Sequence, residues 1–452
     1  MDADDDIGHP AALFRDIDLS GRASIAVAVS GGGDSMALLD IVSRHLQQLA
    51  DAPRLIAVTV DHGLRPASRA EAAWVHFFCE SRGIAHTTVC WEGSKPDTGI
   101  QAAAREMRYR LLRAATQAGG GNLLFTGHTL DDQLETLAMR RARAKDGAGL
   151  AGMAAATLFD RATWIVRPLL GVRRVTLRKY LRAREIPWID DPSNEDPAYE
   201  RVRTRAAMDD RGPEALDIRQ AQARRRRTAA QAAQFLSAAA RLEADGSARV
   251  DADVAGDWSD DAVSMALVAL TSAVGGQRLA VGGRAAASLP CLCRAAHPGL
   301  LRTNLGRCVF ERKDGAIRMW REWRNLPEII IGPQEDAIWD GRYAIRNEAE
   351  ELSFRVGPRR RVRRRDGGPA AHARDAEPEA RLYEGEARSA LRQPNREEPP
   401  AAAIGRALRF DRYLPQFDHF LPEFDIELAD AVARLFGRDA FPNPPVHRNG
   451  SN

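Results

Sequence analysis

The run Ser30-Gly31-Gly32-Gly33-Asp34-Ser35 combines residue types that bind phosphate. Consecutive glycines let backbone N–H groups approach an anion closely, and two hydroxyls flank them. Residues 24–29 before the run read as a buried strand, and residues 36–49 after it read as a helix. The start of a helix turns partial positive charge toward the same spot. Two common phosphate motifs do not fit. G-x-x-x-x-G-K-[ST] requires a lysine that is absent, and in G-x-G-x-x-G the sixth position would be Met36. The plain alternative is a glycine turn capped by Asp34 or Ser35.

Four more segments hold residues capable of chemistry, mostly where strands are expected to end. They are D-H-G-L-R-P at 61–66, Q-A-A-A-R at 101–105 continuing through Arg108, Tyr109 and Arg110, G-H-T-L-D-D-Q-L-E-T at 127–136, and D-P-S-N-E-D at 191–196. Each has two readings. Thr129 and Asp132 fit a helix capping box, which accounts for Asp132 but not Asp131. Asp131 and Glu135 are four apart and share a helix face, so the face could bind Mg²⁺ or an amine. His62 and His128 are either packed loop histidines or parts of a site beside the phosphate loop. Arg105 and Arg108 are either a solvated face or, with Tyr109, a contact to substrate.

These segments need a scaffold of alternating strands and helices. Residues 54–60, 84–91, 122–126 and 163–166 read as strands, and 69–82, 100–118, 130–143 and 172–184 as helices. That order predicts an α/β fold, a doubly wound parallel sheet, over residues 1–215. From 216 to 305 alanine and arginine dominate and strand signals fade, which predicts a helical segment. Its Arg224, Arg225, Arg226 and Arg227 form either a solvated face or a contact to nucleic-acid backbone. Short strands at 309–320 and 337–345 predict a small C-terminal α+β unit beginning with a β-containing stretch at 306–357. Between 358 and 403 the large apolar residues are Val362, Leu382, Tyr383 and Leu391, so a disordered linker is expected. Residues 404–452 regain apolar content and form a last element, with a helical run at 426–436.

Composition sets the outer bounds. The 452 residues are 44% hydrophobic and 28% charged, as in a globular chain. The net charge of +3 hides a bias, since only four of the 65 basic residues are lysine. Arginine is the better fork for phosphate and the better stacker on bases, so a nucleic-acid partner stays open. The N-terminus is acidic with no apolar run behind it, and no stretch of ~18 apolar residues occurs. A cytoplasmic location without a membrane partner is therefore expected. Five cysteines without a C-x-x-C pair support neither a disulfide scaffold nor a common zinc site.

S-G-G-x-D-S, matched at every position by residues 30–35, is the pyrophosphate (PP) loop of enzymes that cleave ATP between its α- and β-phosphates. Over residues 22–210 the chain resembles the bacterial tRNA(Ile)-lysidine synthetases. It carries D-H-x-L-R-P at 61–66, G-I-Q-A-A-A-R at 99–105, D-D-Q-x-E-T at 131–136, G-L-A-G-M at 149–153, R-P-L-L at 167–170 and W-I-D-D-P-S-N-E-D at 188–196. One position departs: Arg201-Val202-Arg203 stands where Arg-Asn-Arg is expected.

The resemblance implies an adenine nucleotide alpha hydrolase-like fold, ATP as co-substrate, Mg²⁺, tRNA(Ile) with a CAU anticodon and free L-lysine. Lysine would be ligated to C2 of the wobble cytidine through an adenylated intermediate. Ser30, Gly31, Gly32, Gly33, Asp34 and Ser35 would hold ATP, with Asp34 and Asp131 on Mg²⁺. Asp34, His128, Asp131, Asp132 and Glu135 would be catalytic. His62, Arg105, Arg108, Tyr109, Arg201 and Arg203 would contact substrate. A tRNA thiolase on the same fold would need sulfur-carrying cysteines, yet none lies between Cys90 and Cys291. An ammonia-using amidotransferase would need a glutaminase motif, which is not evident. A tRNA-binding protein with a decayed site is disfavoured by the intact loop.

Overall fold

The computed structural model describes residues 10–143, 151–190, 200–207, 215–278, 286, 288–294, 301–358, 377–383 and 407–447. The chain divides into two compact units. The first comprises 1–226, 419–424 and 442–452; the second comprises 227–418 and 425–441.

The first unit is built on strands β1 (Ser24–Ala28), β2 (Arg54–Asp61), β3 (Ala85–Cys90), β4 (Leu123–Phe125), β5 (Ala156–Phe159) and β6 (Thr163–Val166), joined by a distant seventh strand, β18 (Phe420–Pro422). Their order is β18-β5-β6-β4-β1-β2-β3. Neighbours from β6 to β3 pair in parallel, while β5 and β18 are antiparallel additions at one edge. The expected parallel sheet is thus present but mixed at this edge. β1 is apolar after Ser24 and buried at every residue, as a strand covered on both faces must be. Ala26 and Ala28 pack with Ile56, Val58, Leu124 and Ile165 against Tyr109 and Leu112 of helix α4 (Ile100–Ala118). Alternation sends Ile25 and Val27 to the other face.

The other helices of this unit are α1 (Pro10–Phe14), α2 (Gly33–Leu46), α3 (Ser68–Ser81), α5 (Leu130–Arg143), α6 (Arg174–Ala183) and α7 (Glu200–Ala207). α2 starts directly after β1 and buries Met36, Leu38, Leu39, Ile41 and Val42. Its register is therefore set by packing, and the phosphate-type run is pinned where strand turns into helix. No described helix is long and apolar enough to cross a membrane.

Helix α8 (Ala215–Ala239) leads into the second unit. There β7 (Ala240–Leu242), β8 (Ala248–Asp251), β9 (Leu301–Leu305), β10 (Cys308–Lys313) and β11 (Ala316–Arg321) form a sheet in the order β7-β8-β11-β10-β9. Helices α9 (Asp260–Gly275) and α10 (Leu289–Arg294) belong to the same unit. The helical expectation for 216–305 is corrected by β7, β8 and β9. β8 alternates buried and half-buried residues and pairs with β11, so a partner distant in sequence makes it a strand.

Two three-stranded sheets follow. One joins β12 (Ile329–Ile331), β15 (Ser353–Pro358) and β16 (Pro378–Tyr383); the other joins β13 (Asp336–Trp339), β14 (Tyr343–Asn347) and β17 (Leu408–Arg412). The disorder expected for 358–403 is therefore wrong at β16, which pairs along its length with β15. The rest of that stretch lies outside the described residues. The unit begun at 306–357 also continues past 357, because β15 and β14 take their outer partners from β16 and β17. Helix α11 (Ile426–Leu435) is the last helix among the described residues.

Candidate functional site

The site lies in the first unit, where β1 and β4 run out into loops. Gly31 adopts φ +86°, a left-handed conformation, and a Cβ there would come within 2.9 Å of Ile189 Cδ1. The backbone N–H of Ile189 donates to the Gly31 carbonyl at 2.9 Å. Ser35 locks the loop: its hydroxyl donates to the Gly32 carbonyl at 2.8 Å and accepts from the Ser30 N–H at 3.2 Å. The Ser30 and Ser35 hydroxyl oxygens are 3.3 Å apart. No side chain caps this end of α2, so its positive end is open to an anion. Gly127, leaving β4, packs backbone to backbone on the loop: a Cβ there would sit 2.9 Å from the Asp34 carbonyl oxygen.

Around the loop stands a cluster of four carboxylates and three guanidiniums. Arg174, the first residue of α6, is its centre. Its Nε donates to Asp34 Oδ2 at 2.9 Å, its Nη2 to Asp132 Oδ1 at 3.3 Å, and its Nη1 lies 3.8 Å from Glu135 Oε1. Its backbone N–H donates to Asp131 Oδ2 at 2.7 Å. Arg173 lies 3.7 Å from Asp131, and Arg205 of α7 donates to Glu135 Oε1 at 2.8 Å. Glu135 is buried, and its Oε2 has no hydrogen-bond partner among the described residues.

Burial raises the Asp34 pKa above the ordinary aspartate value against the pull of Arg174, with Asp132 and Asp131 adding to the rise. Burial works against the charged form of Arg174, but Asp34 and Asp132 outweigh it and raise its pKa. Asp132 serves two ends. Its Oδ2 accepts from the Thr129 N–H and hydroxyl, both at 2.8 Å, so the capping box is real, while Oδ1 faces Arg174.

The remaining expected residues divide. His128 is half-buried beside Gly127, with Nδ1 3.0 Å from Thr126 Oγ1. His62 stands edge-on to Trp91, ring centres 6.3 Å apart, and its Nδ1 is buried without a hydrogen-bond partner among the described residues. Burial, then the charge of Arg108, lowers its pKa. Arg105 is exposed and its guanidinium lies 5.3 Å from the Tyr109 ring centre. Tyr109 itself is a correction. It is buried on the inward face of α4 and packs on Phe159 and Phe420. It belongs to the core because it shares the inward side of α4 with Leu112, three residues on; the exposed Arg105, four residues back on the same side, covers its ring.

Arg201 and Arg203 lie on α7. Arg203 is exposed, and the side chain of Arg201 and all of residues 191–199 are outside the described residues. Sequence reasoning missed Arg173, Arg174 and Arg205. Two signals were there. Arg173 and Arg174 open a helix at the end where acidic residues are favoured, and Arg205 continues an alternating arginine run from 201.

A family model described as PP-loop domain matches residues 10–211. The tRNA(Ile)-lysidine synthase of Rhizobium meliloti (strain 1021) is 39% identical over 94% of this chain and 94% of its own. That of Mesorhizobium japonicum is 38% identical over 96% of each. Among solved structures, the U34-tRNA thiolase NcsA from Methanococcus maripaludis with its [4Fe-4S] cluster aligns at TM-score 0.38 and 18% identity, covering 45% of this chain and 71% of that one. NMN synthetase from Francisella tularensis aligns at TM-score 0.32 and 11% identity, covering 50% and 94%. Likenesses of that size carry no argument about chemistry.

Proposed function

Because this chain belongs to the tRNA(Ile)-lysidine synthase family, we infer that it is a PP-loop ligase that uses ATP to form lysidine on tRNA(Ile). The observation that carries the reading onto particular atoms is Arg174, which ties Asp34 of the phosphate loop to the acidic face of α5.

The reaction is the one the family resemblance implies, and the charges of the site are read for the part each residue plays in it. The amides of Gly31, Gly32 and Gly33, the hydroxyls of Ser30 and Ser35 and the open end of α2 hold the phosphates of ATP. The C2 carbonyl oxygen of the wobble cytidine in a CAU anticodon attacks the α-phosphorus, and pyrophosphate leaves. Reaching that site requires a base splayed out of the loop, as single-stranded RNA recognition usually does. The ε-amine of free L-lysine then attacks the activated C2 and AMP departs. Asp131, Asp132 and the unpartnered oxygen of Glu135 give an ammonium group its acceptors, and His128 takes the proton that lysine sheds before attack. His62, Arg105, Arg108, Arg201 and Arg203 contact tRNA or ATP.

Among the described residues no three His, Cys, Asp or Glu side chains form a metal cage. Mg²⁺ binds through one or two carboxylates with phosphate oxygens completing the shell. That donor chemistry fits Asp34 and Asp131, which would hold it and so neutralise phosphate charge. Catalysis otherwise comes from positioning and from charge stabilisation at the α-phosphate. The work is done in the cytoplasm.

The test is mass analysis of nucleosides after incubation with ATP, lysine and unmodified CAU-anticodon tRNA(Ile), each omitted in turn. Lysidine should appear only with all three present. Initiator methionine tRNA, which has the same anticodon, should be largely refused. Equal modification of both tRNAs would sink the assignment to tRNA(Ile).

A further inference from the structure

Asp34 and Arg174 stand at the N-terminal ends of α2 and α6. Six residues further along the same two helices are Asp40 and Tyr180. The Tyr180 hydroxyl donates to Asp40 Oδ2 at 2.6 Å, as Arg174 Nε donates to Asp34 Oδ2 at 2.9 Å. Six helical residues advance about 9 Å, so two polar rungs join the helices at the same spacing on each. Equal spacing from both N-terminal ends means that α2 and α6 run in the same direction. It also means that the second rung fixes how far one can slide along the other.

That slide decides where Arg174 meets the phosphate loop. Leu177 and Leu181 are fully buried, but apolar side chains repack over a small shift, whereas a short hydrogen bond to a carboxylate does not. Asp40 is itself held. It is buried, and its other oxygen accepts from Arg82 Nη1 at 3.2 Å, just beyond α3. The Arg184 guanidinium lies 5.0 Å from the Tyr180 ring centre and confines the ring.

We propose that Tyr180 and Asp40 are positioning residues for the reaction: they set the axial register of α6 on α2 and so hold Arg174 against Asp34. This rests on the place given above to Arg174 in the site.

A double-mutant cycle in the full chain tests it, read as pyrophosphate release with saturating ATP and CAU-anticodon tRNA(Ile). Tyr180→Phe keeps the ring and removes the bond. It should lower kcat about tenfold with the KM for tRNA within about twofold. Asp40→Asn, which keeps the shape of the side chain, should behave alike. Arg174→Ala should lower kcat by about a hundredfold or more, and adding Tyr180→Phe to it should cost nothing further, because the effect passes through Arg174. Wild-type kcat in both Tyr180→Phe and Asp40→Asn overturns the proposal. So does a tenfold loss that persists on the Arg174→Ala background, since that is the mark of a separate structural effect. Wild-type kcat in Arg174→Ala instead removes Arg174 from the site, and the proposal falls with it.

Discussion

Glu135 has one oxygen on Arg205 and the other buried without a partner among the described residues. Leaving a buried acceptor unpaired costs about 1–3 kcal/mol, and an arriving ammonium removes that cost. Glu135→Gln should therefore raise the KM for lysine about tenfold or more, with pyrophosphate release in the absence of lysine within about threefold of wild type. Asp34→Asn should abolish that release while leaving the unfolding midpoint nearly unchanged. Lost release in Glu135→Gln with an unchanged lysine KM would move Glu135 to the adenylation step. A second residue-scale effect concerns pH. His86 lies between Thr59, 2.9 Å from its Nε2, and His76, 3.3 Å from its Nδ1. Burial, with His76 adding, lowers its pKa from 6.5 to about 4. The unfolded chain then binds the proton more readily. The stability from neutral His86 is complete above pH 6.5 and is lost as pH falls toward 4. Urea midpoints at pH 7.5 and pH 5 should differ less in His86→Gln than in wild type; identical differences would contradict it. At this scale the glycine loop and the carboxylates of α5 were legible, because their spacing is local. Arg174 was not, because nothing in a sequence measures the distance between positions 34 and 174. Tyr109 misled because its neighbours Arg105 and Arg108 are polar, while its own place is on the inward side of α4.

The elements that sequence revealed were those whose pattern is self-sufficient. β1 and β2 are apolar runs, and α2 and α4 are long. β5 has four residues and β18 only three, and each becomes a strand by lying against another. For β16 the low apolar content was read correctly and the conclusion was wrong, since backbone pairing to β15 supplies what its side chains do not. β18 forms one edge of the first unit's sheet. Phe420 packs at 4.8 Å between ring centres on Phe159 and 5.5 Å on Tyr109, and His419 is bonded to Asp160 at 2.7 Å and to Glu106 at 2.9 Å. Phe420→Ala should cost about 3 kcal/mol of stability, measured by chemical unfolding of the full chain followed at the first unit. A change below about 0.5 kcal/mol, the scale of an ordinary surface substitution, would mean that β18 adds little to this sheet.

For the molecule as a whole, the chemistry assigned here needs no thiol. Cys79, Cys293 and Cys308 are buried, Cys90 and Cys291 are exposed, and none of the five is joined in a disulfide. Replacing the buried three with alanine and the others with serine should keep activity within roughly tenfold, a barrier change of about 1.4 kcal/mol. Total loss in a folded variant, assayed by lysidine formation, would revive sulfur chemistry. The first unit is also discontinuous: it closes only when 419–424 and 442–452 rejoin residues 1–226. A ribosome makes the chain in order, so the sheet waits for its last strand. Between Arg226 and His419 lie roughly 190 residues, which at about 5–20 residues per second is about 10–40 s of synthesis. Throughout that interval the β5 edge and the Phe159 ring have no Phe420 to cover them. A chain that ends before residue 420 should therefore present β5 as an open edge and unfold more readily in its first unit than the full chain, which chemical unfolding of the two compares. An open edge strand is a template for pairing with other chains, so such a product should also aggregate more readily than the full chain.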